Sequence, residues 1–163
     1  MNERIKAIPP SATLRITSRA KAMVAEGRAV CNFAGGEPDF DTPEAVKQAA
    51  IRALEAGETK YTPVAGLPAL REAIARKLKA DNGLDYDASR IVVSNGGKHS
   101  LFNVMMALCG EGDEVLIPSP YWLSYPQMVR IAGGVPAFVE GDDAHGFKVT
   151  AEDVEAKITA RTK

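Results

Sequence analysis

The sequence has few residues of the kinds that build metal centres, disulfide frameworks or membrane spans. It holds two cysteines and two histidines, and neither Cys31 nor Cys109 has a second cysteine or a histidine at metal-ligand spacing. A zinc site or a disulfide framework is therefore not expected. The first residues contain no apolar signal-type segment, and the longest aliphatic run, from Val104 to Cys109, is far shorter than the ~20 residues that span a bilayer. We expect a soluble, reduced, cytoplasmic protein with no metal and no membrane partner.

An excess of charge of one sign is also absent. The chain carries 20 Lys and Arg residues against 21 Asp and Glu residues, a formal net charge of -1 over 163 residues. This balance excludes a strongly basic nucleic-acid-binding protein. Hydrophobic residues make up 45% of the chain and charged residues 25%, as in ordinary globular domains. We expect a folded core and no nucleic-acid partner.

Helical and strand patterns alternate along the chain, with glycine and proline between them. Thr42 is the predicted N-cap of the second helix, and Thr150 that of the last. Short apolar strands separated by helices predict an α/β fold with a parallel sheet covered on both faces. The predicted helices are 13–26, 43–56, 68–82, 98–109, 121–132 and 150–158, and the predicted strands are 29–33, 91–93, 114–117 and 135–139.

A glycine-containing turn between the strand 91–93 and the next helix is the sharpest local motif. Gly96 and Gly97 allow backbone N–H groups to converge on an anion at the helix N-terminus, where the dipole favours negative charge. The motif is not a nucleotide P-loop, because Val92 stands where the first glycine is required and His99 follows Lys98. It also lacks the third glycine of a dinucleotide fingerprint. A phosphate site and a simple tight turn both remain open at this point.

Lys98 and Trp122 are two further candidates. A cation is unfavourable at a helix N-terminus, so the position of Lys98 mildly favours a functional lysine over a lysine that is merely solvated at the surface. Trp122 follows the strand 114–117, at the sheet edge where open α/β folds bind ligands. Its indole suits stacking on a planar heteroaromatic ring, although an aromatic packed between sheet and helix is the commoner case. His99 and His145 have no partner pattern and are interpreted as structural or surface residues.

Seven stretches resemble, in the same order, the N-terminal part of the class I/II pyridoxal-phosphate-dependent aminotransferases, most closely the bacterial aspartate aminotransferase subgroup. They are 10–13, 36–43, 60–66, 70–74, 96–98, 112–115 and 120–126. The resemblance covers nearly the whole chain. It implies the aspartate aminotransferase-like fold (fold type I), with residues 1–42 as an N-terminal arm and small-domain segment and residues 43–163 as an incomplete first part of the large cofactor-binding domain.

The resemblance also implies roles for individual residues. Gly96, Gly97 and Lys98 match the turn that holds the phosphate of pyridoxal 5'-phosphate, and Trp122 matches the ring that stacks on its pyridine. Gly36 matches the glycine that meets the substrate α-carboxylate. In the aspartate-using subgroup, a lysine at the position of Lys98 contacts the distal carboxylate of a dicarboxylic substrate. Lys98 and Trp122 are accordingly assigned to the substrate site as well.

The implied partners are an amino acid, a 2-oxo acid and a second copy of the chain. Tyr61 matches the tyrosine that reaches the cofactor phosphate of the neighbouring subunit, so a homodimer with shared active sites is implied. The expected reaction transfers an amino group from an amino acid such as aspartate to a 2-oxo acid such as 2-oxoglutarate.

No residue of the chain is assigned a catalytic role, because none matches the family's Schiff-base lysine. Residues 1–163 alone are therefore expected to be an inactive N-terminal portion of an aminotransferase. Two alternatives remain open. One is a non-catalytic α/β module that binds phosphate, and the other is a superfamily relative that uses prephenate, aromatic donors or an elimination reaction.

Overall fold

The computed structural model describes residues 3–33 and 35–163. Its internal contacts form two compact units: the first comprises the residues up to Ser11 together with Ser94–Lys163, and the second is Ala12–Val93. We describe each unit by itself. The expected division at residues 42 and 43 concerns the domains of a whole aminotransferase, and it stays a prediction.

Helices account for most of the regular structure in both units. Across residues 3–33 and 35–163, none of them combines the length and the apolar character that a membrane crossing requires. The elements are α1 (Glu3–Lys6), α2 (Ala12–Ala25), α3 (Glu44–Glu55), α4 (Pro68–Asn82), a 3-10 helix (Ala88–Arg90), α5 (Gly97–Leu108), β1 (Glu114–Ser119), α6 (Ser124–Ala132), β2 (Val135–Glu140) and α7 (Ala151–Glu155).

A β-α-β arrangement forms the core of the first unit. β1 and β2 pair in parallel, with Glu114 opposite Val135 and Ser119 opposite Glu140. The connecting helix α6 packs on both strands, and its apolar face is excluded from water. The buried apolar residues here are Ile117, Met128, Val129, Ala132 and Val139. The predicted parallel α/β arrangement and the predictions of β1, α6 and β2 are confirmed.

Two predicted strands are wrong. Residues 91–93 are extended, but they pair with no strand in the described part of the chain. The N–H of Val93 donates to the carbonyl of Ala65 at 2.9 Å, and the carbonyl of Ile91 accepts from Arg71 Nε at 2.8 Å. Residues 29–33 likewise belong to no ladder. An apolar run becomes a strand only when a neighbouring strand satisfies its backbone groups.

Most ends of the predicted helices lie within one residue of their predicted positions, but α6 begins at Ser124, three residues later than predicted, and α7 ends at Glu155, three residues earlier. α4 begins at Pro68 and is capped at its C-terminus by Gly83, whose left-handed backbone (φ 68°) lets the N–H of Leu84 donate to the Leu78 carbonyl at 3.1 Å. The expectation that Thr42 caps α3 is wrong, because Pro43 occupies the N-cap position without a side-chain cap. Thr150 forms the predicted capping box at the start of α7.

Candidate functional site

The turn that precedes α5 is built around Gly96. Its φ of 81° and ψ of 167° lie in a region open to glycine and costly for other residues. The Gly96 N–H donates to the Ser94 carbonyl at 2.8 Å. The Gly96 carbonyl accepts the N–H groups of His99 and Ser100 at 3.1 and 3.2 Å. The turn therefore leads directly into the first hydrogen bonds of α5.

Two backbone donors at this turn have no partner in the described part of the chain. Among the residues that the structure describes, no hydrogen bond is made by the N–H of Gly97 or of Lys98. The space outside the turn is open, since a Cβ placed on Gly96 or Gly97 would meet nothing within 4 Å. Free N–H groups at the positive end of a helix dipole favour an anion. The geometry is compatible with an anion at this turn, and the cofactor roles assigned to Gly96, Gly97, Lys98 and Trp122 stay predictions.

Lys98 places its charge over the ring of Trp122. The distance from Lys98 Nζ to the ring centroid is 5.5 Å, within the range of a cation–π interaction. No carboxylate pairs with Lys98 in residues 3–33 and 35–163. Two residues that lie 24 positions apart in sequence are thus brought together, and the ammonium group stays available to a ligand.

Trp122 lies in the connection between β1 and α6 and remains 46% exposed. The adjacent residue, Tyr121, packs against the sheet: its ring stacks on Phe138 of β2, with ring centroids 4.9 Å apart and an interplanar angle of 14°. A tryptophan wedged between sheet and helix would be largely buried. The structure instead leaves part of the indole accessible for stacking.

His99 has a role that the sequence pattern does not show. Its Nδ1 accepts a hydrogen bond from the N–H of Asn95 at 3.1 Å. The bond spans the two glycines of the turn. From the sequence, His99 is interpreted as a structural or surface residue, with no partner named for it. A single bond between a side chain and a backbone N–H leaves no periodic pattern in the sequence that could identify that partner.

Gly36 and Tyr61 belong to the second unit. A Cβ on Gly36 would have no neighbour within 4 Å, so the backbone there is open to close approach. Tyr61 is fully exposed. The loop that carries Tyr61 ends at Gly66, where a Cβ would lie 2.5 Å from Val93 Cγ2. The roles assigned to Gly36 and Tyr61 stay predictions.

The most strongly held carboxylate of the first unit lies away from this turn. Glu114, at the start of β1, is 7% exposed. It accepts hydrogen bonds from Thr159 Oγ1 at 2.6 Å and from Arg161 Nε at 3.0 Å. These bonds, with Thr159 first and Arg161 second, hold the pKa of Glu114 below its ordinary value. Glu114 lies at the opposite end of β1 from Trp122, and its bonds connect the start of this strand to the segment 159–161.

The first unit therefore defines an α/β protein with a site suited to an anionic, aromatic ligand. Free N–H groups, one lysine and one accessible indole supply anion binding, charge and stacking.

The chain belongs to the class I and II aminotransferases, because the model of that family matches residues 28–163. The family depends on pyridoxal phosphate, as the resemblance of the sequence motifs implies.

Individual relatives are similar over almost the whole chain. The aspartate aminotransferase of Geobacillus stearothermophilus is 50% identical over 161 residues, which are 99% of this chain and 41% of that protein. The probable aspartate/prephenate aminotransferase of Aquifex aeolicus is 53% identical over 160 residues, 98% of this chain and 41% of that protein. The structure of Thermus thermophilus aspartate aminotransferase with maleate matches with a TM-score of 0.96 at 48% identity, over 100% of this chain and 43% of that one. The chain thus spans about two fifths of the length of these relatives.

Proposed function

We propose that the complete gene product carrying this chain is a pyridoxal-phosphate-dependent aminotransferase. It moves an amino group from aspartate to a 2-oxo acid such as 2-oxoglutarate. The observation that carries the proposal is the Lys98 ammonium held over an exposed indole, next to a turn with two free N–H groups. Membership of the family and the names of the relatives support the same activity.

The residues present fit the cofactor. The N–H groups of Gly97 and Lys98 suit its phosphate. Gly96 has no side chain, and the space beside it is open. The accessible indole of Trp122 suits its pyridine ring. When bound, pyridoxal phosphate supplies the electron sink for the bond-breaking at the amino acid α-carbon. The chain contributes binding and orientation.

Lys98 is the residue proposed to select a dicarboxylic substrate. Its ammonium has no carboxylate partner in the described residues, so a substrate carboxylate would not compete with an internal ion pair. Maleate, present in the Thermus thermophilus structure, is itself a dicarboxylate. Gly36 is proposed to meet the α-carboxylate, where its lack of a side chain permits close backbone approach.

A second copy of the chain is the proposed partner. Tyr61 is exposed to its full extent on the loop that ends at Gly66. A tyrosine in that setting is available to a neighbouring subunit, in keeping with the shared active site that the resemblance implies. Residues 1–163 alone are proposed to be inactive, and the complete protein to be cytoplasmic.

The Lys98→Ala variant of the complete gene product tests the substrate assignment. Loss of one charge-assisted hydrogen bond of ~1.5–3 kcal/mol lowers kcat/KM for aspartate roughly 10- to 150-fold. The value for phenylalanine, which has no distal carboxylate, falls far less. Lys79→Ala is the matched control, since Lys79 pairs with Asp85 on the exposed surface of α4. An equal loss with every donor would assign Lys98 to the cofactor or to folding.

The wild-type protein tests the activity itself. We expect amino transfer from aspartate to 2-oxoglutarate, measured by the formation of the 2-oxo acid product of aspartate. Binding of pyridoxal phosphate without transfer from any donor would contradict the proposal and support a non-catalytic phosphate-binding module. Prephenate should be included as an acceptor, because the Aquifex aeolicus relative is named for aspartate and prephenate.

A further inference from the structure

The turn between Asn95 and His99 is closed by one bond from a side chain. The Asn95 N–H donates to His99 Nδ1 at 3.1 Å. A backbone N–H is only ever a donor, so Nδ1 must be the acceptor. In this bond Nδ1 supplies its lone pair to the Asn95 N–H. The contribution of His99 that the geometry shows is one of shape.

The bond encloses the two glycines of the turn. Gly96 and Gly97 lie between its two ends, and glycine has more backbone freedom to lose than any other residue. The free N–H groups of Gly97 and Lys98 lie inside the same short segment. A cross-link from Asn95 to His99 restricts the orientations that these N–H groups sample.

We propose that His99 is a positioning residue for the anion-binding turn. By holding the Asn95 N–H, it keeps the N–H groups of Gly97 and Lys98 directed to one point, where the phosphate of the cofactor binds. The inference rests on the proposed function and deepens it. The two adjacent residues then divide the work: Lys98 supplies charge, and His99 supplies preorganisation.

Two substitutions of His99 separate the acceptor from the shape of the side chain. His99→Asn keeps an acceptor atom bonded to Cγ, as Nδ1 is. His99→Leu keeps the branching at Cγ and has no acceptor. His145→Leu is the control, because His145 lies in an exposed loop and contacts Asp142.

The measurement is the Kd of the complete gene product, freed of cofactor, for pyridoxal 5'-phosphate and for pyridoxal, which lacks the phosphate. The ratio of the Kd for pyridoxal to the Kd for pyridoxal 5'-phosphate measures how much the phosphate contributes to binding. In His99→Leu we expect the ratio to shrink by roughly three- to tenfold, the effect of losing one ordinary hydrogen bond. His99→Asn and His145→Leu keep the wild-type ratio. A wild-type ratio in His99→Leu would overturn the inference.

The outcomes separate this inference from the proposed function. A wild-type protein that binds both compounds equally would refute the phosphate site itself. A wild-type protein that prefers the phosphate, with the same preference in His99→Leu, would refute only the role of His99.

If His99→Leu does not fold, His99→Gln replaces it, since glutamine carries its acceptor one carbon further out. The ratio should then fall in His99→Gln and not in His99→Asn, and an equal ratio in the two would overturn the inference. Hydrogen exchange at the Asn95 amide gives an independent readout: exchange should be faster in His99→Leu or His99→Gln than in the wild type or His99→Asn.

Discussion

Gly66→Ala is the substitution whose consequence follows most directly from the geometry. Gly66 has a φ of 102°, and a Cβ there would lie 2.5 Å from Val93 Cγ2 and 2.8 Å from Val93 Cβ. The backbone has little room to yield. The Gly66 N–H bonds the Pro63 carbonyl at 2.9 Å, and the Val93 N–H bonds the Ala65 carbonyl at 2.9 Å. Relief of the clash would break these bonds.

Two costs add in this variant. Holding a non-glycine residue at such a φ costs ~1–3 kcal/mol, and forcing a methyl group into a filled space typically costs a further ~1–3 kcal/mol. The free energy of unfolding should fall by about 2–6 kcal/mol in total. Gly57→Ala is the control: Gly57 has a φ of 77°, but a Cβ there would meet nothing within 4 Å. Only the backbone cost of ~1–2 kcal/mol applies to it.

Urea unfolding of the complete gene product measures both losses. Gly66→Ala should lose more free energy of unfolding than Gly57→Ala. Adding Val93→Ala to Gly66→Ala should recover part of the loss, because Val93 Cγ2 is then absent. Equal losses in the two glycine variants, or purely additive losses in the double variant, would refute the steric argument.

Three further predictions concern the first unit and the exposed apolar side chains. Because the pKa of Glu114 is lowered in the folded state, its ionised form stabilises the fold above the ordinary glutamate pKa, and this stabilisation is lost as the pH falls through the folded-state pKa. In Glu114→Gln, the free energy of unfolding measured in urea should therefore depend less on pH between roughly pH 6 and pH 3 than in the wild type. An unchanged pH dependence would contradict this. Trp122→Ala should weaken pyridoxal phosphate binding by roughly two- to twelvefold (~0.5–1.5 kcal/mol) with little loss of free energy of unfolding, whereas Tyr121→Ala should mainly lower the free energy of unfolding. A larger loss of stability in Trp122→Ala than in Tyr121→Ala would show that Trp122 is the packed ring. Residues 1–163 by themselves should bind a hydrophobic dye, since side chains such as Leu54 and Leu108 are each 65% exposed, and a dye-free monomer with a sharp melt would contradict it.

Local signals predicted the helices and the strand pair because their causes are local. Gly83 and Gly133 both adopt left-handed backbone, and each directly follows the predicted end of a helix, at residues 82 and 132. β1 and β2 are successive strands joined by one helix, and a connection of this kind commonly brings two parallel strands together. Apolar periodicity was sufficient for this part of the fold.

Other features depend on partners that a pattern does not name. Residues 91–93 have strand composition, but their backbone groups bond a loop carbonyl and an arginine side chain. The candidate site divides in the same way. Gly96 and Lys98 are visible from the turn motif, whereas the bond from Asn95 to His99 depends on a rotamer that composition does not fix. The contact between Lys98 and Trp122 depends on how α5 and the end of β1 come together.

The two adjacent aromatic residues after β1 differ in their surroundings. Tyr121 is anchored on Phe138, and Trp122 keeps an accessible face beside Lys98. Exchanging the ring at position 122 therefore leaves the stack of Tyr121 on Phe138 in place. A protein engineer who wished to alter ligand preference would vary positions 122 and 98 together and keep 121 constant. Natural divergence of specificity has the same route open to it, at low cost to the fold.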